Sequence, residues 1–248
     1  MTVEQNMLTI MNGFTVFSNR QYYDELVKNG YQKTYGTFRE CFRRMVNAGI
    51  VLRVGRNAYC ISDNTRVHYR HEYSDLASQV SEHIKEYYPY LDYVIFETVQ
   101  LNEFINHQIG RNTIFVFVEG DVIDFVFDGL KDIYPGKVMM TPSSTVFHRY
   151  RSEDVIVLMK LVSEAPKNQP ESWRESLEKL LVDVMAEQLI QETFSESEMA
   201  NIYEMAFKYY IIDESKMFRY ARRRNIAEKV RTFIKDNTDV KLKTEGTK

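Results

Sequence analysis

The sequence is poor in the features that mark membrane and secreted proteins. It has no run of about eighteen apolar residues, so we expect no membrane-spanning helix and no membrane partner. Its N-terminus lacks the basic and then apolar profile of a signal peptide. The only two cysteines, Cys41 and Cys60, fall at apolar positions, which predicts buried thiols rather than a disulfide. The cytoplasm is therefore the expected compartment.

Motifs of several enzyme classes are also absent. The ten glycines form no phosphate-binding loop, and neither Gly-x-Ser-x-Gly nor His-Glu-x-x-His occurs. A nucleotidyltransferase would need a Gly-Ser turn and an Asp-x-Asp pair to hold Mg²⁺, and a restriction-type nuclease would need an acid followed by acid-x-Lys. The acids that flank the predicted strands lack these spacings, and we interpret them as ordinary polar strand ends: Asp92, Glu97, Glu119 and Asp121. We expect no catalytic residue, no metal site, no cofactor and no enzymatic activity.

The most informative segment runs from Phe14 to Ser62. Ser18 and Gln21 have the spacing of a capping box, which predicts a helix to about Lys28 that Asn29-Gly30 ends. A second helix is predicted from about Thr34, with Gly49 at its C-terminal cap. Its apolar positions recur three and four residues apart: Phe38, Cys41, Phe42 and Met45.

A basic hairpin follows these two helices. Ile50–Val54 and Ala58–Ser62 are rich in β-formers, and the turn Gly55-Arg56-Asn57 between them has a basic tip. Thr2–Asn12 is predicted to form a further amphipathic helix that completes the core. Together these elements predict a winged helix-turn-helix domain over residues 1–62.

The charge distribution agrees with nucleic-acid binding by this domain. Residues 1–62 contain eight Lys or Arg and four Asp or Glu, a net charge of +4, whereas the whole chain carries −3 and the remainder therefore −7. The N-terminal end of the second helix is expected to meet base edges, and its later arginines and the hairpin are expected to meet phosphates or the minor groove. The alternative is that these are solvated charges on a small structural domain. The candidate DNA-binding residues are Lys33, Thr34, Tyr35, Thr37, Arg39, Arg43, Arg44, Arg53, Arg56 and Asn57.

Residues 63–74 are predicted to be a polar linker, in which His68 and His71 are solvated. Residues 75–248 are predicted to form an α/β domain, and the whole fold is therefore α+β. Strands are expected at Tyr93–Phe96, Thr113–Val118, Lys137–Met140 and Val155–Leu161, with helices at Ser74–Tyr88, Val99–His107 and Asp121–Ile133. Phe125 is assigned to the buried face of the last of these.

Three further helices are predicted in the C-terminal part. The first begins at the capping box Ser172-x-x-Glu175, the second at Ser195-x-x-Glu198, and Asp213 caps the third. The third helix also carries a basic run. This run is either a second nucleic-acid or partner surface or a solvated face paired with acids such as Glu214 and Glu228, and both interpretations stay open. Its arginines are Arg219, Arg222, Arg223 and Arg224.

Two segments resemble AbiEi-type antitoxins. The stretch MVNAGIVLRVGRNAYCIS has the family's helix, Gly-apolar-x-Arg step and basic hairpin that ends in Tyr59. The stretch LEKLLVDVMAE resembles the family's Pro-Glu-(Lys/Arg)-x-Leu-Leu-Asp helix, although the proline is absent. The matching residues are Gly49, Arg53, Gly55, Arg56 and Tyr59 in the first stretch, and Glu178, Lys179, Leu181 and Asp183 in the second.

This resemblance implies the antitoxin of a type IV toxin–antitoxin system active in phage defence. Its winged domain would repress transcription from its own promoter, so double-stranded DNA is one expected partner. Its C-terminal domain would neutralise a cognate nucleotidyltransferase-like toxin, the second expected partner. Two alternatives remain: a nucleotidyltransferase-like or nuclease-like enzyme that carries a winged targeting domain, and a winged domain used only for protein contact.

Overall fold

The structure, a computed structural model, describes residues 16–55, 57–61, 66–168 and 171–243. The chain divides into two compact units. Unit 1 comprises the described parts of Met1–His68, Phe207–Lys216 and Lys241–Lys248, and unit 2 comprises the described parts of Tyr69–Ala206 and Met217–Val240. The helix predicted over Thr2–Asn12 lies outside the described residues.

Unit 1 contains two helices followed by a β-hairpin. These are α1 (Asn19–Lys28), α2 (Tyr35–Asn47), β1 (Val51–Gly55) and β2 (Ala58–Ile61). The predicted capping box is confirmed, because the Gln21 amide lies 3.1 Å from Ser18 Oγ and the Ser18 amide lies 2.7 Å from Gln21 Oε1. Gly49 follows α2 at φ +71°, a left-handed conformation that glycine adopts without a steric penalty.

The core of unit 1 is largely aromatic. The Tyr22 ring lies 5.0 Å from Phe17, 5.7 Å from Phe38 and 5.6 Å from Phe42, measured between ring centroids. Phe17 also pairs with Tyr59 of β2 through two backbone hydrogen bonds. This pairing holds the residues just before α1 against the hairpin. Cys41 and Cys60 are both buried thiols, as predicted.

A later segment of the chain belongs to unit 1 because it pairs with Val67. The Val67 amide donates to the Tyr209 carbonyl and the Ile211 amide donates to the Val67 carbonyl, each at 3.0 Å. The sequence-based division assigned residues 207–216 to the C-terminal domain. The pairing joins residues about 140 positions apart, a relation that no local sequence pattern specifies.

Unit 2 is built on a four-stranded mixed sheet in the order β3-β4-β6-β5. β3 is antiparallel to β4, whereas β4, β6 and β5 are mutually parallel. All six residues of β4 are buried, as expected for a central strand covered on both faces. The strands are β3 (Tyr93–Glu97), β4 (Thr113–Val118), β5 (Val138–Met140) and β6 (Val155–Lys160).

Three helices and a short 3-10 helix accompany the strands. They are α3 (Asp75–Tyr87), the 3-10 helix Thr98–Glu103, α4 (Ile123–Ile133) and α5 (Ser144–Tyr150). The α-helix predicted over Val99–His107 is wrong, since only the 3-10 helix forms there. The buried face of α4 consists of Ile123, Val126 and Leu130. Phe125, predicted on that face, is 69% exposed.

Five helices, rather than the three predicted, follow the sheet within the described residues 171–243. They are α6 (Leu177–Ala186), α7 (Gln188–Gln191), α8 (Glu196–Tyr209), α9 (Glu214–Arg223) and α10 (Ala227–Asn237). The first helix was predicted to continue to about Glu192, but Glu187 interrupts it with extended backbone. The third was predicted to include Ile234, but Asn225 at φ +57° interrupts it. The predicted caps of α8 and α9, Ser195 with Glu198 and Asp213, are confirmed.

The capping box predicted at Ser172 does not form, and Ser176 caps α6 instead. The Trp173 carbonyl accepts a 2.7 Å hydrogen bond from the Ile95 amide, and Arg174 forms a parallel β-bridge with Ile95, so a turn and a bridge to β3 replace the start of the predicted helix. Among the described residues, no helix combines the length and apolar character needed to cross a bilayer.

Candidate nucleic-acid interface

A concave surface of about 450 Å³ lies in unit 1 along one side of α2, and we call it the arginine groove. Six residues of α2 line it at spacings of three and four, which places them on one face of the helix. The hairpin and the start of α1 supply the other walls. The lining residues are Gly36, Arg39, Glu40, Phe42, Arg43 and Val46, with Arg53 and Tyr59 of the hairpin and Asn19 of α1.

The hairpin contributes to the groove through one cross-strand pair. Arg53 of β1 lies directly opposite Tyr59 of β2. The Tyr59 ring packs edge-on against Phe42 of α2, with 4.8 Å between centroids, so it joins the hairpin to the helix. Arg53 is thereby held on the same concave surface as the arginines of α2.

The groove is positively charged. Arg39, Arg43 and Arg53 are exposed, and Glu40 is the one acid among its lining residues, which gives a formal net charge of +2. Three arginines that face one concavity provide planar donors for phosphate oxygens. The groove is therefore suited to a polyanion that extends along α2.

The predicted residues at the start of α2 have mixed roles. Thr34 caps the helix, since its hydroxyl lies 3.3 Å from the Thr37 amide. Tyr35 is half-buried, and its hydroxyl donates to Asn19 Oδ1 at 2.9 Å. The side chains of Thr34 and Tyr35 thus stabilise the local fold. Lys33 and Thr37 are exposed, and the Thr37 hydroxyl lies 3.1 Å from the Thr34 hydroxyl.

The remaining predicted residues lie beside the groove or outside the described chain. Arg44 is exposed but does not line the groove. Asn57 occupies the hairpin turn at φ +55°, and its Oδ1 lies 3.3 Å from the Asn19 amide. Arg56 lies outside the described residues. Sequence reasoning missed Asn19, Gly36, Glu40 and Tyr59, although the spacing of Gly36 and Glu40 from Arg39 and Arg43 could have identified those two.

The second basic surface contains three of its four predicted arginines. Arg219, Arg222 and Arg223 of α9 are exposed. Arg223 forms an ion pair with Glu164. Arg224 is instead largely buried, with Nη2 2.6 Å from Glu187 Oε1 and Nε 4.0 Å from Asp183 Oδ1.

Arg224 belongs to a buried ionic cluster in unit 2 that the sequence did not predict. The cluster centres on Lys179, whose Nζ lies 2.5 Å from Asp183 Oδ2, 3.3 Å from Glu175 Oε2 and 3.6 Å from the Phe117 ring centroid. Burial, opposed by the charge of Lys179, raises the pKa of Glu175 to about 8. Three of the four residues that carry the resemblance in LEKLLVDVMAE, Lys179, Leu181 and Asp183, are therefore buried.

His71 is not the solvated linker residue that was predicted. Its side chain is 17% exposed, and Nε2 lies 2.9 Å from Oε1 of the fully buried Glu97. Glu97 also accepts hydrogen bonds from Ser74 and Asn112. Burial alone would raise the pKa of Glu97, but the hydrogen bonds with His71, Ser74 and Asn112 outweigh burial and lower the pKa. His68 is exposed.

The other strand-end acids differ in their surroundings. Asp92 forms an ion pair with Lys167, and Glu119 and Asp121 are exposed. Within the part of the chain that the structure describes, no group of three or more His, Cys, Asp or Glu side chains is placed to hold a metal ion.

Comparisons with known proteins give one family and no function. The model of a family described as "Family of unknown function (DUF6577)" matches residues 37–240. No curated protein matches the sequence. A solved structure, the crystal structure of RV2827C protein from Mycobacterium tuberculosis, is similar at a TM-score of 0.24 and 9% identity, over 94% of this chain and 80% of that one. A TM-score of this size does not establish a shared fold.

Proposed function

The chain belongs to DUF6577, a family of unknown function, and we propose that its N-terminal unit is a winged helix-turn-helix that binds double-stranded DNA. The observation that carries the proposal is the arginine groove. Its arginines come from both α2 and the hairpin, the two elements that contact DNA in a winged helix. If these arginines were only solvated charges on a structural domain, nothing would require them to line the same groove.

In this proposal α2 enters the major groove. Lys33, Thr37 and Arg39 are nearest to the base edges, and Arg43 and Arg44 meet phosphates further along the helix. Arg53, with Arg56 and Asn57 of the turn, reaches the neighbouring backbone or the minor groove. Phosphate contacts supply most of the affinity and make it dependent on salt.

The proposal is tested by arginine substitution in the full chain. Arg39→Gln, Arg43→Gln and Arg53→Gln should each weaken binding to a fluorescent duplex about tenfold, which corresponds to ~1.4 kcal/mol. Each variant that loses a phosphate contact, as proposed for Arg43→Gln, should also show a slope of log affinity against log salt that is smaller by about 1. Fluorescence anisotropy over a salt series measures both quantities.

Lys28→Gln is the matched control. Lys28 is an exposed cation of the same unit, but it lies at the far end of α1 from the groove residue Asn19 and pairs with Glu25 at 2.5 Å. This variant should bind as the wild type does. If the three groove variants also retain wild-type affinity and salt slope, the groove is not the DNA-binding surface.

We propose the biological role from the resemblance to AbiEi-type antitoxins. The protein would act in the cytoplasm by binding, without catalysis, as the autorepressor and antitoxin of a type IV toxin–antitoxin system. Co-expression with the gene next to its own tests this role. Rescue of growth from a toxic neighbour supports it, and a neighbour that is harmless when expressed alone contradicts it.

A further inference from the structure

Three buried polar atoms lie at the amino ends of the parallel strands β4 and β6. Thr113 Oγ1, Arg151 Nε and Ser152 Oγ have no hydrogen-bond partner among the residues that the structure describes. Thr113, the first residue of β4, is completely buried. Because nearly all buried polar atoms in folded proteins have a partner, three such atoms at one edge of a sheet require an explanation.

The segments that carry these atoms are directly connected. Arg151 Nη2 donates a 2.8 Å hydrogen bond to the Arg111 carbonyl. This bond joins the segment that precedes β6 to the segment that precedes β4. Thr113 is also the register partner of Val155, three residues beyond Ser152. The segments that precede the two strands therefore run side by side at this end of the sheet.

Thr113 and Arg151 lie on the same face of the sheet. Side chains alternate along a strand, so Thr113 shares a face with Phe115. The Phe115 ring lies 6.5 Å from Phe147 of α5, and the Arg151 guanidinium carbon lies 5.4 Å from the same Phe147 ring. The Thr113 hydroxyl therefore points to the side on which Arg151 lies.

The edge also carries two neighbouring positive charges. Burial, and then the charge of Arg111, lower the pKa of Arg151. Within the described chain, neither arginine forms an ion pair with a carboxylate, and the acids that follow, Glu153 and Asp154, are exposed. Two like charges held together without a counterion favour the binding of an anion.

We propose that Arg111, Thr113, Arg151 and Ser152 form an oxyanion site that binds a phosphate dianion, free or as the monoester of a small molecule. Phosphate oxygens accept hydrogen bonds and match the guanidinium donors, while the two hydroxyls donate to the remaining oxygens. Two arginines balance the two charges of the dianion. The site lies in unit 2 and is independent of the proposed DNA binding by unit 1.

The test is thermal unfolding of the full chain in inorganic phosphate, compared with chloride at equal ionic strength. Trp173, the single tryptophan, lies in unit 2, so its fluorescence reports unfolding of that unit. Phosphate at about a hundred times its dissociation constant should raise Tm by roughly 5 °C. No rise beyond that in chloride overturns the proposal.

Two variants locate the effect. Thr113→Val keeps nearly the same shape and removes an unpaired buried hydroxyl, so in chloride its Tm should equal or exceed that of the wild type. Its apparent affinity for phosphate should nevertheless fall about tenfold, since a charge-assisted hydrogen bond is lost. Arg151→Gln should abolish the response.

Lys137→Gln, which changes an exposed lysine of unit 2, is the matched control and should respond to phosphate as the wild type does, whereas Arg39→Gln tests for phosphate bound in the arginine groove of unit 1. If Arg39→Gln loses the response while Thr113→Val and Arg151→Gln keep it, phosphate binds elsewhere and the proposal fails. A second titration with glycerol phosphate distinguishes the source of the ligand. Tighter binding than inorganic phosphate identifies a monoester, and weaker binding identifies the free ion.

Discussion

Unit 2 should lose stability as the pH rises from 5 to 9, because Glu175 is buried in its ionic cluster. Glu175 is almost completely inaccessible to water, and its Oε2 lies 3.3 Å from Lys179 Nζ. Asp183 competes for the same amine at 2.5 Å. A protonated Glu175 leaves Lys179 paired with Asp183 and Arg224 paired with Glu187, so the cluster is electrically neutral.

The size of the effect follows from the pKa. Burial raises the pKa of Glu175 in the folded protein to about 8, from an ordinary value of 4.5. The stabilisation is therefore complete below about pH 4.5 and is lost as the pH rises through about 8. At ~1.4 kcal/mol for each pKa unit, the loss is on the order of a few kcal/mol. Glu175→Gln, which stays neutral at every pH, should remove this part of the pH dependence.

Urea unfolding at pH 5 and pH 9, followed by Trp173 fluorescence, measures the effect. Trp173 lies two residues from Glu175 and is the only tryptophan, so the signal comes from this unit. Glu153→Gln, which changes an exposed carboxylate in the same unit, is the control and should retain the wild-type pH dependence. If Glu175→Gln and the wild type lose the same free energy of unfolding between the two pH values, the assigned role of Glu175 is wrong.

Two further predictions concern the stability of each unit. Lys179→Met should cost roughly 3–5 kcal/mol in urea unfolding, because it leaves the carboxylate of Asp183 buried without its cation. The exposed Lys137→Met should stay within about 0.5 kcal/mol of the wild type, and an equally small effect of Lys179→Met would contradict the buried pairing. Gly49→Ala should destabilise unit 1 by about 1 kcal/mol, since φ at Gly49 is +71° and alanine is strained there. Thermal unfolding followed by circular dichroism checks it, and an unchanged or raised Tm would refute the left-handed cap.

Local chemistry made much of the fold predictable. The capping box of Ser18 and Gln21 and the glycine at position 49 specify helix ends within a few residues of chain, and the structure contains both. The apolar runs at β4 and β6 are long enough to indicate buried strands without any tertiary information. These features are set by contacts between residues that are close in sequence.

The errors arose where distant residues compete with local propensity. Ser172 has a capping-box spacing, yet the Ile95 amide donates to the Trp173 carbonyl and the next residue, Arg174, pairs with β3 instead of starting a helix. His71 stands in a polar stretch, yet it packs against the buried carboxylate of Glu97, 26 positions away. Neither Ile95 nor Glu97 can be identified as the partner from the local sequence pattern.

The candidate site divides in the same way. The positive charge of Arg39, Arg43 and Arg53 is visible in the sequence. Their common groove is not, because it depends on the packing of Tyr59 in the hairpin against Phe42 in α2. The burial of Lys179 was equally hidden, since a lysine in a helix is normally an exposed residue.

The measurement that tests the central claim most directly is the binding of the wild-type protein to the DNA upstream of its own gene. Binding is followed by the fluorescence anisotropy of the labelled upstream duplex and is compared with binding to a scrambled duplex of equal length and composition. Both are measured at salt concentrations from about 50 to 200 mM. The winged-helix proposal predicts tighter binding to the upstream duplex and affinity that falls steeply with salt on both. Equal, weak binding to the two duplexes, or binding that does not respond to salt, would contradict it.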